Sequence, residues 1–308
     1  MSAPGVCIYE VGPRDGLQNE PASIPTEAKV AFVDLLSEAA FEEIEVTAFV
    51  SPKWVPQLAD AEEVLARIRR REGVRYTALV PNEQGLERAL RARVDGIAVF
   101  TAASETFNRK NINASIAESI ERFAPVVPRA RAEGLRIRGY VSTAFWCPYE
   151  GKIEPRAVTE VVRRLVDLDV DEISIGDTIG KAVPVEVDDL LDVLLDAVTQ
   201  DRLAMHFHDT YGTGVANALA AYDRGITTFD SSAGGVGGCP YAPGAAGNVA
   251  TEDLAWALER SGAKTGIDLD RVRAASDHLA AVLGRPLRSR VREALRPAPK
   301  DTPAPDAR

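Results

Sequence analysis

His206 and His208 stand two residues apart in Met205-His206-Phe207-His208-Asp209-Thr210 and are two of only three histidines in the chain. On a β-strand, residues i and i+2 project to the same face. A strand over 203–208 therefore presents both imidazoles to whatever that face lines. Joined by a carboxylate from elsewhere, two imidazoles make a divalent-metal site. The plainer alternative is a hydrogen-bonded histidine pair packed in a core. A second polar cluster, Val11-Gly12-Pro13-Arg14-Asp15-Gly16-Leu17, sets an arginine beside a carboxylate near the other end of the sequence.

The elements that must position these residues alternate along the chain. Short β-branched and apolar runs predict strands at Val6–Tyr9, Glu43–Val46, Arg75–Leu79, Gly96–Phe100, Arg136–Ser142, Glu172–Ile175, Leu203–His208 and Thr227–Asp230. Between them lie helical stripes such as Val158, Val161, Val162, Leu165 and Leu168. Pro155 sits where a first helical turn begins, and Ser115 to Glu118 fits a capping box. Eight strand–helix units in about 260 residues match a (β/α)8 TIM barrel. A doubly wound open sheet shares the local pattern, but no nucleotide fingerprint accompanies it. Leu269–Leu283 reads as an added C-terminal helix, giving one barrel domain over 1–296 and a Pro- and charge-rich disordered tail over 297–308.

Active sites of such barrels form at the C-terminal ends of the strands. Arg14 and Asp15 follow the first predicted strand, Glu45 lies near the end of the second and Asp177 follows the sixth. His206 and His208 end the seventh, and the loop after the eighth carries Ser231, Cys239 and Asn248. All fall at one rim, which favours the metal reading. Asp15, His206, His208 and the Asn248 amide oxygen form a mixed oxygen and nitrogen set without a thiolate, suited to Mg²⁺ or Mn²⁺ rather than structural zinc. Such a site leaves positions for a chelating substrate and Lewis-acid chemistry. Arg14 would then stabilise an oxyanion or enolate, unless it is a surface or carboxylate-paired arginine. Asp177, within Gly176-Asp177-Thr178-Ile179-Gly180, could hydrogen-bond the metal's water.

Gly234-Gly235-Val236-Gly237-Gly238-Cys239-Pro240-Tyr241-Ala242-Pro243-Gly244 lacks the lysine and hydroxyl of a P-loop. It reads as a mobile lid bringing Cys239 over the site, the alternative being a plain flexible connection. Cys7, in a strand, and Cys147, before a proline, read as packing residues.

Composition bounds the rest. The 308 residues are 45% hydrophobic and 27% charged, ordinary for a globular protein. A formal net charge of -10 argues against a nucleic-acid partner. Three cysteines without CxxC spacing suggest a reducing, cytoplasmic setting. No apolar run approaches a membrane span, and the few residues before the first predicted strand leave no room for a signal peptide.

The chain resembles the 3-hydroxy-3-methylglutaryl-CoA lyases, within the metal-dependent DRE-TIM lyases and synthases, from about Tyr9 to Gly266. The resemblance is carried by Val11-Gly-Pro-Arg-Asp-Gly-Leu-Gln-Asn-Glu20, Phe49-Val-Ser-Pro-Lys-Trp-Val-Pro-Gln57, Lys110-Asn-Ile-Asn113 and Arg138-Gly-Tyr-Val-Ser142. It continues through Cys147-Pro-Tyr-Glu-Gly-Lys-Ile153, Gly176-Asp-Thr-Ile-Gly180, His208-Asp-Thr-Tyr-Gly212, Gly237-Gly-Cys-Pro-Tyr-Ala242 and Gly247-Asn248. The segment around Cys239 is particular to the lyase branch.

This resemblance implies a barrel in which Asp15, His206, His208 and Asn248 hold the cation. Arg14 would stabilise the acetyl-CoA enolate, and Cys239 would protonate it. Glu45 and Asp177 would support the ligands and the arginine. The reaction implied is retro-Claisen cleavage of 3-hydroxy-3-methylglutaryl-CoA to acetyl-CoA and acetoacetate, with His206, Asp15 and Asp177 each open as the base. Arg14, Gln18, Tyr140 and Trp146 are the expected substrate contacts. The expected partner is an acyl-CoA thioester, with no nucleic acid or membrane, and the expected assembly a homodimer or higher homo-oligomer.

Phe207, Ala48 and Phe145-Trp146 depart from the family pattern and leave the acyl group open, so a lyase for another 3-hydroxy-3-alkylglutaryl-CoA is an alternative. A synthase condensing acetyl-CoA with a 2-oxoacid, and a barrel that binds metal without turnover, are the others.

Overall fold

The eight predicted strands close on themselves. In the computed structural model, which describes residues 5–238 and 247–296, they are β1 (Cys7–Glu10), β2 (Glu43–Ala48), β3 (Arg75–Leu79), β4 (Gly96–Ala102), β5 (Arg136–Ser142), β6 (Glu172–Asp177), β7 (Leu203–Phe207) and β8 (Thr228–Ser231). Each pairs in parallel with the next, and β1 pairs with β8, so the sheet is a closed (β/α)8 barrel and not the open alternative. β3 and β5 coincide with the predicted runs, and the others shift by one or two residues. The predicted Val6 start moves to Cys7, and β7 stops at Phe207. His208 lies just beyond it, in an isolated antiparallel bridge to Asn248.

Alternation along each strand sorts residues between barrel lumen and helix layer. On β5, an added Cβ at Gly139 would touch Leu165 of the helix Pro155–Asp167, while Arg138, one residue earlier, reaches Asp230 across the lumen. Ile137, Val141, Ile173, Ile175, Leu203, Met205 and Phe229 are buried in the main apolar core. At roughly 25 cal/mol per Å² of apolar area removed from water, this layer is the main favourable contribution to folding.

The lumen itself is filled with polar side chains where branched aliphatics are the rule. Glu43 pairs with Arg75 at 2.7 Å and Arg136 at 3.2 Å, and Glu172 pairs with Arg136 and Arg138, both at 3.2 Å. Asp230 takes Arg138 at 2.5 Å. Alternating charges thus climb toward the barrel mouth. A buried ion pair offsets its desolvation only when geometry and extra hydrogen bonds are good, so this ladder is better explained by what it positions than by stability.

Several local predictions hold. Pro155 opens its helix, Ser115 and Glu118 form a capping box, and Leu269–Leu283 is helical, followed by a short helix at Arg290–Ala294. Trp146, an expected substrate contact, lies past the end of the fifth strand. That strand stops at Ser142, and Trp146–Cys147 instead pairs with Gly151–Lys152 in a small antiparallel hairpin over the rim. Cys239 and the tail 297–308 lie outside the described residues. Among the described residues, no helix is long and apolar enough to cross a membrane.

Candidate metal centre

Three strand ends bring the predicted ligands together. After β1 the chain makes one π-helical turn, Gly12–Gly16, in which the amides of Arg14, Asp15 and Gly16 all turn back to the Val11 carbonyl. Wide turns of this kind are frequent at functional sites. This one aims Asp15 at the mouth. His206 and His208 enter from β7 and its bridge, their ring centres 5.2 Å apart. Ligand atoms of Asp15, His206 and His208 all lie within 4.8 Å of one another.

Asn248 arrives on the far side. Its amide nitrogen donates to Asp15 Oδ2 at 2.9 Å and to the Val236 carbonyl at 3.1 Å. Its amide oxygen is buried without a hydrogen-bond partner, as is Nδ1 of His208. An unpaired buried polar atom costs about 1–3 kcal/mol, and a bound cation would relieve it. The donor set is carboxylate, imidazole and amide oxygen, so the residues present fit a Mg²⁺- or Mn²⁺-type ion.

Two glycines fix the approach of Asn248. A Cβ on Gly237 (φ +126°) would come within 2.6 Å of the Asn248 amide nitrogen, and one on Gly247 (φ +88°) would overlap the Gly237 carbonyl. The two ends of the segment carrying Cys239 are thereby held against each other.

Electrostatics prepares the ligands. Burial works to raise the Asp15 carboxyl, but Arg14, the two imidazoles and the Asn248 amide outweigh it and hold Asp15 well below the usual carboxylate range. Burial, reinforced by His206, pushes His208 down to about 4, so its ring is neutral and ready to coordinate at neutral pH. Burial alone would lower His206, but its hydrogen bond to Asp230 and the charges of Asp230 and Asp15 raise it.

Arg14 is buried beside this cluster. It donates through Nη1 to Asp15 Oδ1 at 2.6 Å and through Nε to Glu45 Oε2 at 2.5 Å. Glu45 reaches the lumen because it stands two residues past Glu43 on β2, ahead of the register shift between Glu45 and Thr47. Burial raises Glu45 against the opposing pull of Arg14. The Tyr140 hydroxyl donates to Glu45 at 3.2 Å, and its ring lies 5.2 Å from the Arg14 guanidinium carbon.

Other predicted site residues lie elsewhere. Asp177 pairs in register with Phe207 and so faces the helix layer, with Gly176 beside His206. Its carboxylate accepts the Lys181 and Ala182 amides at 3.1 and 3.0 Å, closing its own loop. Burial raises it to about 7. Trp146 donates its indole N–H to Glu186, with the Lys181 ammonium 3.7 Å from its ring centre. Gln18 is half-buried, three residues past Asp15. Ser231 bonds Thr251, and the Cys147 thiol bonds Ser104.

Phe207 and Phe145, two of the departures from the family pattern, touch each other with centroids 6.1 Å apart in the helix layer. The sequence reading missed Arg138, Ser174 and Asp230. Their signal was a polar residue at every second position, in Arg136-Ile-Arg138, Glu172-Ile-Ser174 and Thr228-Phe-Asp230.

Comparison with known proteins extends this geometry. A family model described as HMGL-like matches residues 5–279. The hydroxymethylglutaryl-CoA lyase of Pseudomonas mevalonii is 50% identical over 290 residues, 94% of this chain and 96% of that protein. A Pseudomonas aeruginosa protein named 3-hydroxy-3-isohexenylglutaryl-CoA/hydroxy-methylglutaryl-CoA lyase is 49% identical, over 94% of this chain and 97% of its own. The solved structure of an HMG-CoA lyase from Acinetobacter baumannii in complex with coenzyme A and 3-methylmalate superposes with a TM-score of 0.91. It has 40% identity and covers 98% of each chain.

Proposed function

The chain belongs to the HMGL-like family, and on that premise we propose that it cleaves 3-hydroxy-3-methylglutaryl-CoA to acetyl-CoA and acetoacetate at the barrel mouth. The observation that carries this reading is the convergence of Asp15, His206 and His208 beside a buried, carboxylate-held Arg14. The enzyme is a carbon–carbon lyase.

Asp15, His206, His208 and Asn248 would hold the divalent cation. When bound, it supplies Lewis acidity to the substrate's C3 hydroxyl and carboxylate oxygens. Loss of the C3 hydroxyl proton lets the C2–C3 bond break, with its electron pair passing to the thioester as an enolate and C3 becoming the ketone of acetoacetate. Arg14 faces this charge as a preorganised donor, locked by Glu45 and Asp15. Cys239 returns a proton to the enolate carbon. Of the candidate bases, His206 and Asp15 lie in the cluster, whereas Asp177 is turned to the amides of its own loop.

A second substrate reading has specific support. Ala48, Leu79, Ala98 and Tyr140 form a small apolar cluster of their own, apart from the main core, with Phe100 packed against it. It borders Arg14 through Tyr140 and offers an apolar wall to a longer 3-alkyl group. The name of the Pseudomonas aeruginosa relative includes such a substrate.

The test is acetyl-CoA release from a panel of 3-hydroxy-3-alkylglutaryl-CoA thioesters with Mg²⁺ and Mn²⁺. Cleavage of the methyl compound is expected. No cleavage of any member, or condensation of acetyl-CoA with a 2-oxoacid instead, contradicts the proposal.

A further inference from the structure

Asp230, on β8, has a fully buried side chain in the lumen and stands in register beside His206 of β7, and each of its oxygens has a distinct set of donors. Oδ1 accepts Arg138 Nη2 at 2.5 Å. Oδ2 accepts the Ser174 hydroxyl at 2.8 Å and lies 3.0 Å from His206 Nδ1. The guanidinium is itself immobilised, its carbon 3.9 Å from the Tyr9 ring centre and 5.1 Å from that of Tyr140. Tyr140 also packs edge-on against the His206 ring at 6.3 Å.

We infer that Asp230 is a positioning residue that fixes His206 in the tautomer with the proton on Nδ1, leaving Nε2 bare for the ligand cluster. The inference rests on the metal-centre reading of that cluster. A carboxylate held by an arginine offers His206 Nδ1 only an acceptor, so the proton must sit on that nitrogen. A neutral imidazole protonated at Nδ1 has its lone pair on Nε2, the ring atom not engaged by Asp230. Carboxylate partners of metal-bound histidines act generally in this way, setting tautomer and ring orientation. Ser174 and Arg138 restrain the carboxylate so that it does not rotate with the ring. The ionic ladder in the lumen thereby has a use at the mouth, because each rung holds the next and the last holds a ligand.

The geometry makes an unusually selective variant. In Asp230→Asn, Arg138 can only donate, so the amide oxygen must take the Oδ1 position. The amide N–H₂ group then occupies the Oδ2 position and points at His206 Nδ1, with the Ser174 hydroxyl able to accept its second hydrogen. His206 is forced to accept at Nδ1 and carry its proton on Nε2, where a cation would bind. A near-isosteric change therefore inverts the tautomer.

The experiment is ¹⁵N-histidine NMR of the metal-free protein in alkaline buffer, where the ring is neutral, together with Mn²⁺ titration of the parent, Asp230→Asn, Ser174→Ala and His208→Ala. The parent is expected to show His206 protonated at Nδ1 and Asp230→Asn at Nε2. Mn²⁺ binding is expected to weaken by about 10- to 100-fold in Asp230→Asn. Ser174→Ala is expected to keep the parent tautomer. Parent His206 protonated at Nε2, or Asp230→Asn with the parent tautomer and parent Mn²⁺ affinity, overturns the inference. Should Asp230→Asn fail to fold, the parent spectrum still decides. Mn²⁺ affinity unchanged in His208→Ala would instead remove the metal-centre reading, an outcome separate from the tautomer.

Discussion

Replacing Arg14 by glutamine separates transition-state stabilisation from binding. The Arg14 side chain is 7% exposed and engages Asp15 at 2.6 Å and Glu45 at 2.5 Å. Glutamine is too short to reach the same place and carries no charge. Loss of one preorganised donor facing a developing oxyanion costs about 10²–10³ in kcat, or about 2.7–4 kcal/mol. Stability falls as well, because Glu45 keeps only the Tyr140 hydroxyl. Stranding a buried charge costs about 3–5 kcal/mol. Glu45 is already raised by burial, so it escapes part of that penalty by taking up a proton once the opposing arginine is gone. Metal affinity should not decline, since Asp15 loses a competitor for its oxygen. Steady-state kinetics and Mn²⁺ titration of Arg14→Gln are thus expected to show a large fall in kcat, little change in KM and undiminished Mn²⁺ binding. Arg14→Lys should not rescue, because a point charge cannot satisfy both carboxylates in the same fork. An unchanged kcat with a raised KM would instead make Arg14 a substrate anchor and not a transition-state donor.

Two further variants test other parts of the account. Cys239→Ala should lower turnover by about 10²–10⁴, the contribution of a positioned acid, with Mn²⁺ affinity intact; full activity would remove the thiol from the mechanism. Glu10 is buried facing the helix layer, where its carboxylate takes the Gly12 and Ala233 amides and the Thr251 hydroxyl, and burial raises it to about 8. A raised folded-state pKa means the folded protein binds more protons than the unfolded chain, so this contribution to stability is complete below the ordinary carboxylate pKa. It is lost as pH climbs toward 8, by up to about 1.4 kcal/mol per pH unit. Glu10→Gln should remove that slope in denaturant titrations between pH 5 and about 8, and parallel curves for parent and variant would show that Glu10 is not protonated.

What was legible in the sequence followed from period-two patterning. In Leu203-Ala204-Met205-His206-Phe207 the large apolar residues fall at every second position, so the shared face of the histidines could be read without the fold. Arg136–Ser142 was bounded correctly at its start because Glu133-Gly134, with Gly134 at φ +76°, ends the preceding helix in a turn. The same periodicity explains the misplacement of Asp177. Sequence position puts it at the rim, but its face depends on register with β7, where Gly176 and not Asp177 stands beside His206. The Trp146 hairpin carries two residues per strand, too few for alternation to register. The polar lumen was hidden for a different reason. Arg138 and Asp230 lie 92 positions apart, and only barrel closure reveals that each answers the other's charge.

The central claim is that this mouth gathers a cation. Crystals grown with Mn²⁺ and measured for anomalous scattering test it directly. One strong peak is expected, bonded to Asp15, His206 and His208 with the Asn248 amide oxygen turned toward it, and it should be lost in His208→Ala. A map without density there, in protein that still cleaves its thioester, would contradict it.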